Sequence, residues 1–357
     1  MIANHSISDI EYSVLIITLT ILLLFSVKKL YVKEKNKGIW ISKETSIVIK
    51  GICCIFILMG HYGQRCFDEN LPLCISKICW LIPVNMALPI FMFLSGYGLS
   101  INTYFTQTNP IKELTKRTLK LYLPLAFVSF TAYLFYILLP DKFTLCELNE
   151  LMITEDIYAI HHISLRDVIP LLVHAVGYKD WYVYCIIFYY AIFYISIFIS
   201  NKFDNNFTRT LFIILSFTYI ILNFFELPGH YYRLIWAFFL GHISANYNRN
   251  IYDRWSIIYV LIFIITFINE DIVQIISFIS SILFIYIISE LNKKYVIQNK
   301  ILYFLGIISY FFYLSHLRWG WVITAYLEVN SIIIWIFITI CISYILMNIY
   351  NKLHFIK

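Results

Sequence analysis

The chain has 357 residues, 61% hydrophobic and 13% charged, with a mean hydropathy of +0.76 and a formal net charge of +6. An average soluble domain is about half apolar and a quarter charged, so this composition excludes a soluble globular enzyme. The basic excess sits between long apolar runs and not in one cluster, which excludes a nucleic-acid binder.

In chain order, apolar stretches occur near 12–27, 47–64, 80–101, 121–139, 181–200, 210–225, 232–247, 256–268, 272–289, 301–317 and 331–350. At about 20 residues per crossing they predict an all-α, polytopic integral membrane bundle of about 11 transmembrane helices, in which 256–268 is short. The stretches are continuously apolar, so a β-barrel, which alternates residue by residue, is excluded. The first stretch has no basic residue before it and lysines after it, the reverse of a signal peptide, and is expected to remain as an anchor.

Orientation follows from the retention of Lys and Arg on the cytoplasmic side. With the N-terminus outside and the C-terminus cytoplasmic, the inner segments 28–46, 102–120, 201–209, 248–255, 290–300 and 351–357 hold 19 basic and 6 acidic residues; the outer loops hold 7 and 15. The reversed topology inverts both biases, so a multi-pass cell-membrane protein of this orientation is expected. The long outer loop 140–180 is too small for a soluble catalytic domain, and its stretch 146–173 reads as an amphipathic helix lying on the bilayer. Cys53, Cys54, Cys185 and Cys341 fall inside spans, whereas Cys66, Cys74, Cys79 and Cys146 fall at or near the outer surface, where one disulfide is open to them. His161, His162 and His174, with Asp167, match no standard zinc spacing, and no metal is expected.

An ionisable group within a span marks function by default. Across the spans the formal charges are Lys50 and, at an edge, Arg233. Lys50 and His61 are eleven positions apart, which on an α-helix returns to within about 20° of the same face and separates them by about 16 Å. A snorkelling lysine and a capping histidine give the same pattern, so spacing alone leaves both readings open. After the next helix comes the basic run Lys116-Arg117-Thr118-Leu119-Lys120; Arg117 and Lys120, three apart, share a helix face able to grip a phosphate. Topology alone also requires a basic loop there.

Several short motifs then fall in series: Lys50 to His61; Phe93-x-Ser95-Gly96-Tyr97; Arg117-x-x-Lys120 before Tyr122-x-Pro124; Trp181-Tyr182 opening a later helix; and Gly306-x-x-Ser309-Tyr310-x-x-Tyr313-Leu314-x-His316. In this order they resemble the acyltransferase 3 family, membrane enzymes that move acyl groups, usually acetyl, from cytoplasmic acyl-CoA to extracytoplasmic glycans and related acceptors. The resemblance covers about 46–350. It implies a ten-helix core plus one added N-terminal helix: an anchor and basic loop over 1–45, the membrane acyltransferase domain over 46–350, and a cytoplasmic tail over 351–357.

What the resemblance implies for the site is this. Lys50, His61 and His316 fall on catalytic positions; Arg117, Lys120, Lys116, Ser95 and Gly96 on positions that hold the acyl-CoA donor, with acetyl-CoA the expected form; and Trp181 and Tyr313 on the acceptor side. The expected partners are the lipid bilayer and a glycan or lipid-linked sugar, with no nucleic acid and with a homo-oligomer left open. Lys120 stands where the family has a second arginine, which keeps the charge and loses bidentate phosphate geometry. Ser315 stands where the final motif often has Trp. In chemical terms His61 suits a general base, because imidazole titrates near neutrality. The alternative class is a transporter, flippase or polymerase for a surface glycan, which also lines cavities with ionisable groups but shows inverted repeats that are not visible here.

Overall fold

The computed structural model describes residues 17–18, 27–29, 41–66, 75–105, 109–138, 180–204, 206–225, 234–246, 272–297, 299–321 and 331–353. The expected spans 12–27 (apart from residues 17–18 and 27) and 256–268, the loop before residue 180, Cys74, Cys146, Arg233 and the loop histidines lie outside these residues. Every other expected span falls on helix. These are α1 (Lys43–Cys66), α2 (Ile75–Phe105), α3 (Pro110–Leu138), α4 (Trp181–Phe203), α5 (Phe207–Phe224), α6 (Ile235–Asn246), α7 (Ile272–Lys294), α8 (Lys300–Ile307), α9 (Ser309–Ser315) and α10 (Ile332–Lys352). A π-helical turn, His316–Trp321, continues α9. Among the described residues four helices are long and apolar enough to cross a membrane, or five if the broken pair beginning with α8 is one span. The expected single helix over 301–317 is thus interrupted at Ile308.

Local chemistry explains the helix starts. Ser42 accepts the backbone N–H of Thr45 at 3.1 Å at the head of α1, and Asn109 accepts that of Ile111 at 3.0 Å before Pro110, whose missing N–H costs nothing in a first turn. Asn206 caps α5 through Arg209 N–H, and Ser331 caps α10. Between α4 and α5, Asp204 takes a left-handed conformation (φ 49°), which a short polar side chain tolerates. One small departure from helix was not expected: strand β1 (Val27–Lys29) pairs antiparallel with β2 (Tyr295–Ile297), Lys28 opposite Val296.

The chain divides into two compact units. In the larger, Thr18–Thr118 with Trp181–Gly306, α2 is the hub, packed against α1, α6 and α7. Its approach to α6 is made by glycines: a Cβ on Gly96 would meet the Phe238 carbonyl, and one on Gly241 would meet that of Phe93. Gly51 and Gly306 do the same for α1 against α8, through Leu302 and Ile47. In lipid, where apolar side chains gain little by meeting one another, backbone approach of this kind is a main source of helix affinity. Polar ties supplement it. Tyr97 Oη accepts the Ile41 N–H at 2.8 Å, and the buried His242 of α6 joins Ser100 of α2 (2.7 Å) to Thr208 of α5 (3.0 Å) through its two ring nitrogens.

In the smaller unit, which includes Leu119–Asp180 and Ile307–Lys357, α9 and the π-turn pack on α10. Tyr350 of α10 meets the rings of Phe127 and Phe311 at 5.7 and 5.6 Å. Tyr310 donates its hydroxyl to the Leu121 carbonyl, beside the Lys120 carbonyl that Pro124 leaves without its helical partner.

The outer faces are apolar. Phe217 and Phe224 on α5 and Phe337 on α10 are 64%, 79% and 67% exposed. In water such faces would be an aggregation surface; on helices this long and apolar they are the lipid-facing side of a membrane protein.

Candidate functional site

The residues singled out by the sequence fall in both units: Lys50, His61, Ser95, Gly96, Lys116, Arg117 and Trp181 in the larger, Lys120, Tyr313 and His316 in the smaller.

On α1 the residues from Val48 to Gly60 are almost all buried, and Lys50 and His61 are half-buried. They lie on one helical stripe with Cys54 and Ile57, both buried, between them. The helix is unbroken across the interval, so the separation of about 16 Å along its axis holds. Reduced Cys53 and Cys54 complete the buried side of this turn.

The donor-side residues meet two tyrosines of α4. Arg117 donates Nε–H to the Tyr194 hydroxyl at 2.8 Å and stands 3.9 Å from Glu113, one turn earlier, through the same atom. Ser95 donates to the Phe91 carbonyl at 2.9 Å, and the Tyr190 hydroxyl lies near Ser95, Arg117 and Tyr194. Tyr190 and Tyr194, four apart, share a face of α4, and of the two Tyr194 is the one that bonds Arg117 of α3. Because the contacts to Arg117 are made through Nε, the guanidinium is oriented at its root, an arrangement that suits an anion at its fork. Lys116 and Lys120 are exposed. Gly96 has a packing role, its Cβ direction closed by α6. Trp181 opens α4 half-buried, its ring edge-on to Tyr182 at 5.7 Å.

In the smaller unit Tyr313 and His316 belong to a buried polar network. His316, 3% exposed, places Nδ1 at 2.5 Å from the Tyr313 carbonyl. A carbonyl can only accept, so Nδ1 carries the proton and the neutral ring has its lone pair on Nε2. The Tyr313 hydroxyl donates to Asp180 Oδ1 at 3.1 Å, and Arg318 Nη2 donates to Asp180 Oδ2 at 3.0 Å. Arg318 Nη1 returns to the Leu314 carbonyl at 2.6 Å. From α10, Trp335 Nε1 donates to the His316 carbonyl at 3.0 Å, and Ser343 meets Ser315 at 2.6 Å.

Asp180, Arg318, Tyr190 and Tyr194 were not singled out by the sequence. Asp180 stands one residue before the expected span 181–200 and Arg318 one residue after 301–317, so both read as loop residues. A buried acid and base flanking two spans was the available signal. The tyrosines were hidden in an aromatic-rich helix, where their i, i+4 spacing also fits a lipid-facing or packing stripe.

A family model described as an acyltransferase domain matches residues 46–349. No curated protein and no solved structure matches the chain.

Proposed function

On the premise that the chain belongs to the acyltransferase 3 family, we propose that this membrane acyltransferase moves an acyl group, in the first instance acetyl, from acyl-CoA on the cytoplasmic side to a hydroxyl of an extracytoplasmic glycan or lipid-linked sugar. The observation that carries the reading is the α1 stripe, an unbroken buried helix whose half-buried Lys50 and His61 share one face.

In this mechanism the acceptor oxygen attacks the thioester carbonyl while His61 takes its proton. The tetrahedral intermediate collapses with cleavage of the C–S bond, and the histidine returns the proton to the leaving thiolate. Lys50, nearer the cytoplasm, aligns the pantetheine arm. Arg117, set by Tyr194, binds the nucleotide phosphates with Lys116 and Lys120, while Ser95 lines the same region and Gly96 keeps α2 against α6. His316, Tyr313 and Trp181 serve the acceptor side. Support for the orientation comes from the positive-inside bias and from the β1–β2 ladder, which joins two segments assigned to the same side.

The test is transfer of radiolabelled acetyl from acetyl-CoA to glycan in membrane vesicles, normalised to folded protein. His61→Ala should remove most turnover, about 10²–10⁴-fold, with CoA binding retained. Lys50→Ala should raise the acetyl-CoA requirement as well as lower the rate. Near-normal transfer by His61→Ala would falsify the assignment, and glycan transport or polymerisation without any CoA thioester would replace the reading with the transporter or polymerase class.

A further inference from the structure

Four side chains in the smaller unit close a ring around the π-turn. Asp180 uses both carboxylate oxygens, one on the Tyr313 hydroxyl and one on Arg318 Nη2. Arg318 uses its other terminal nitrogen on the Leu314 carbonyl, the group to which its own backbone N–H would bond in a regular α-turn. The Tyr313 carbonyl accepts from His316 Nδ1, and the Tyr313 and His316 rings lie 5.6 Å apart. Asp180 and Arg318 are both buried, at 8% and 7% exposure, so the pair is not a solvated surface bridge.

Two consequences follow for His316. A π-turn carries one more residue in its hydrogen-bonded ring than an α-turn and is inherently less favourable, and such turns occur frequently at functional sites. Here Arg318 supports the wider turn from within, and Asp180 holds Arg318. The same carboxylate fixes the tyrosine whose carbonyl selects the His316 tautomer. Second-shell carboxylates and carbonyls commonly set imidazole orientation in this way. The network is also closed from α10, since a Cβ on Gly320 would meet Trp335 and Thr339.

We propose that Asp180 and Arg318 are positioning residues for His316: the pair locks the π-turn so that the His316 ring is held with its lone pair on Nε2, ready to accept a hydrogen bond from the acyl acceptor's hydroxyl. This rests on the acyltransferase reading above and on His316 serving its acceptor side. No covalent step is added; Asp180 touches neither donor nor acceptor and acts through Tyr313, Arg318 and His316.

The experiment uses the full chain in membrane vesicles, with radiolabelled acetyl-CoA supplied on the cytoplasmic face and label read in extracted glycan. Asp180→Asn, which preserves shape and one acceptor oxygen, should lower turnover per folded molecule by about tenfold or more, while the KM for acetyl-CoA stays within about twofold. In a double-mutant cycle, Asp180→Asn combined with His316→Ala should be no slower than His316→Ala alone, because the first change acts through the second residue. Arg318→Lys, which keeps the charge but loses the planar fork that reaches Leu314 and Asp180 through separate nitrogens, should fall on the same side of the KM and kcat split. If Asp180→Asn does not accumulate, Tyr313→Phe, which deletes only the hydroxyl on Oδ1, should show the same split at smaller size. Losses that multiply in the cycle, or turnover per folded molecule that is unchanged in these variants, overturn the proposal. An unsubstituted chain that transfers no label overturns the acyltransferase reading itself, and the positioning role falls with it.

Discussion

A single arginine illustrates how much a residue's surroundings add to its charge. Arg117 alone is a basic residue in a basic loop; with Nε held by Tyr194 its guanidinium plane is set before any ligand arrives. Charge-assisted phosphate contacts are worth about 1.5–3 kcal/mol each, so Arg117→Ala should weaken CoA binding at least about tenfold. Tyr194→Phe keeps the charge and loses the orienting bond, a change of about 1 kcal/mol or roughly fivefold. Calorimetric titration of the purified protein with CoA separates the two, and equal affinity in all three proteins would remove Arg117 from the donor site. Lys50, His61 and Arg117 were legible because charge in an apolar chain is conspicuous. The tyrosines were not, since an aromatic hydroxyl in a helix with many aromatics reveals its partner only when the neighbouring helix is in place. At Asp180 the consequence of truncation differs again: Asp180→Ala would strand the Arg318 charge in a buried place, at a cost of about 3–5 kcal/mol, and folded yield measured by fluorescence-detected size exclusion should drop well below that of Asp180→Asn.

At the level of helices, packing by backbone approach makes a prediction that composition does not. Replacing Gly241 or Gly96 with Leu drives a side chain into the carbonyl of the facing helix, and overpacking of this kind costs about 1–3 kcal/mol or more. The thermal midpoint of Gly241→Leu in detergent should fall by several degrees, whereas Gly98→Leu, where a Cβ meets nothing, should leave it nearly unchanged; equal melting of the two would show that α2 and α6 are not held by close approach. The existence of these helices was plain from apolar length. Their interruptions were not. The π-turn after Ser315 has partners from elsewhere, Trp335 from α10 and Asp180 from before α4, and a window of local hydropathy contains neither. The β1–β2 ladder escaped for the same reason, its two halves being far apart in the chain.

For the molecule as a whole, the solvent decides the arrangement of side chains: apolar residues fill the interior together with buried hydroxyls, two buried histidines and a buried ion pair, and many other Phe and Ile stay exposed on the outer faces. The fold class was therefore readable from composition, while the pairing of helices was not, since lipid-facing and helix-facing apolar residues look alike in sequence. Orientation is tested directly. A membrane-impermeant thiol reagent applied to intact cells should label a cysteine placed at Asn149 and leave one at Asn109 unlabelled until the membrane is opened; the opposite pattern would invert the topology and with it the cytoplasmic donor site.

The β1–β2 ladder sets a condition on the order of events during synthesis. Val27–Lys29 leave the ribosome early, yet their hydrogen-bonding partners Tyr295–Ile297 come about 270 residues later, an interval on the order of 10–60 s at ordinary elongation rates. Through that time the first strand's edge is without its native partner while most of the helices are being made and inserted. Closure of this ladder is therefore a late event in biogenesis, and a chain arrested short of residue 295 can have its hub helix in the bilayer and still lack the clasp that joins its beginning to its later part.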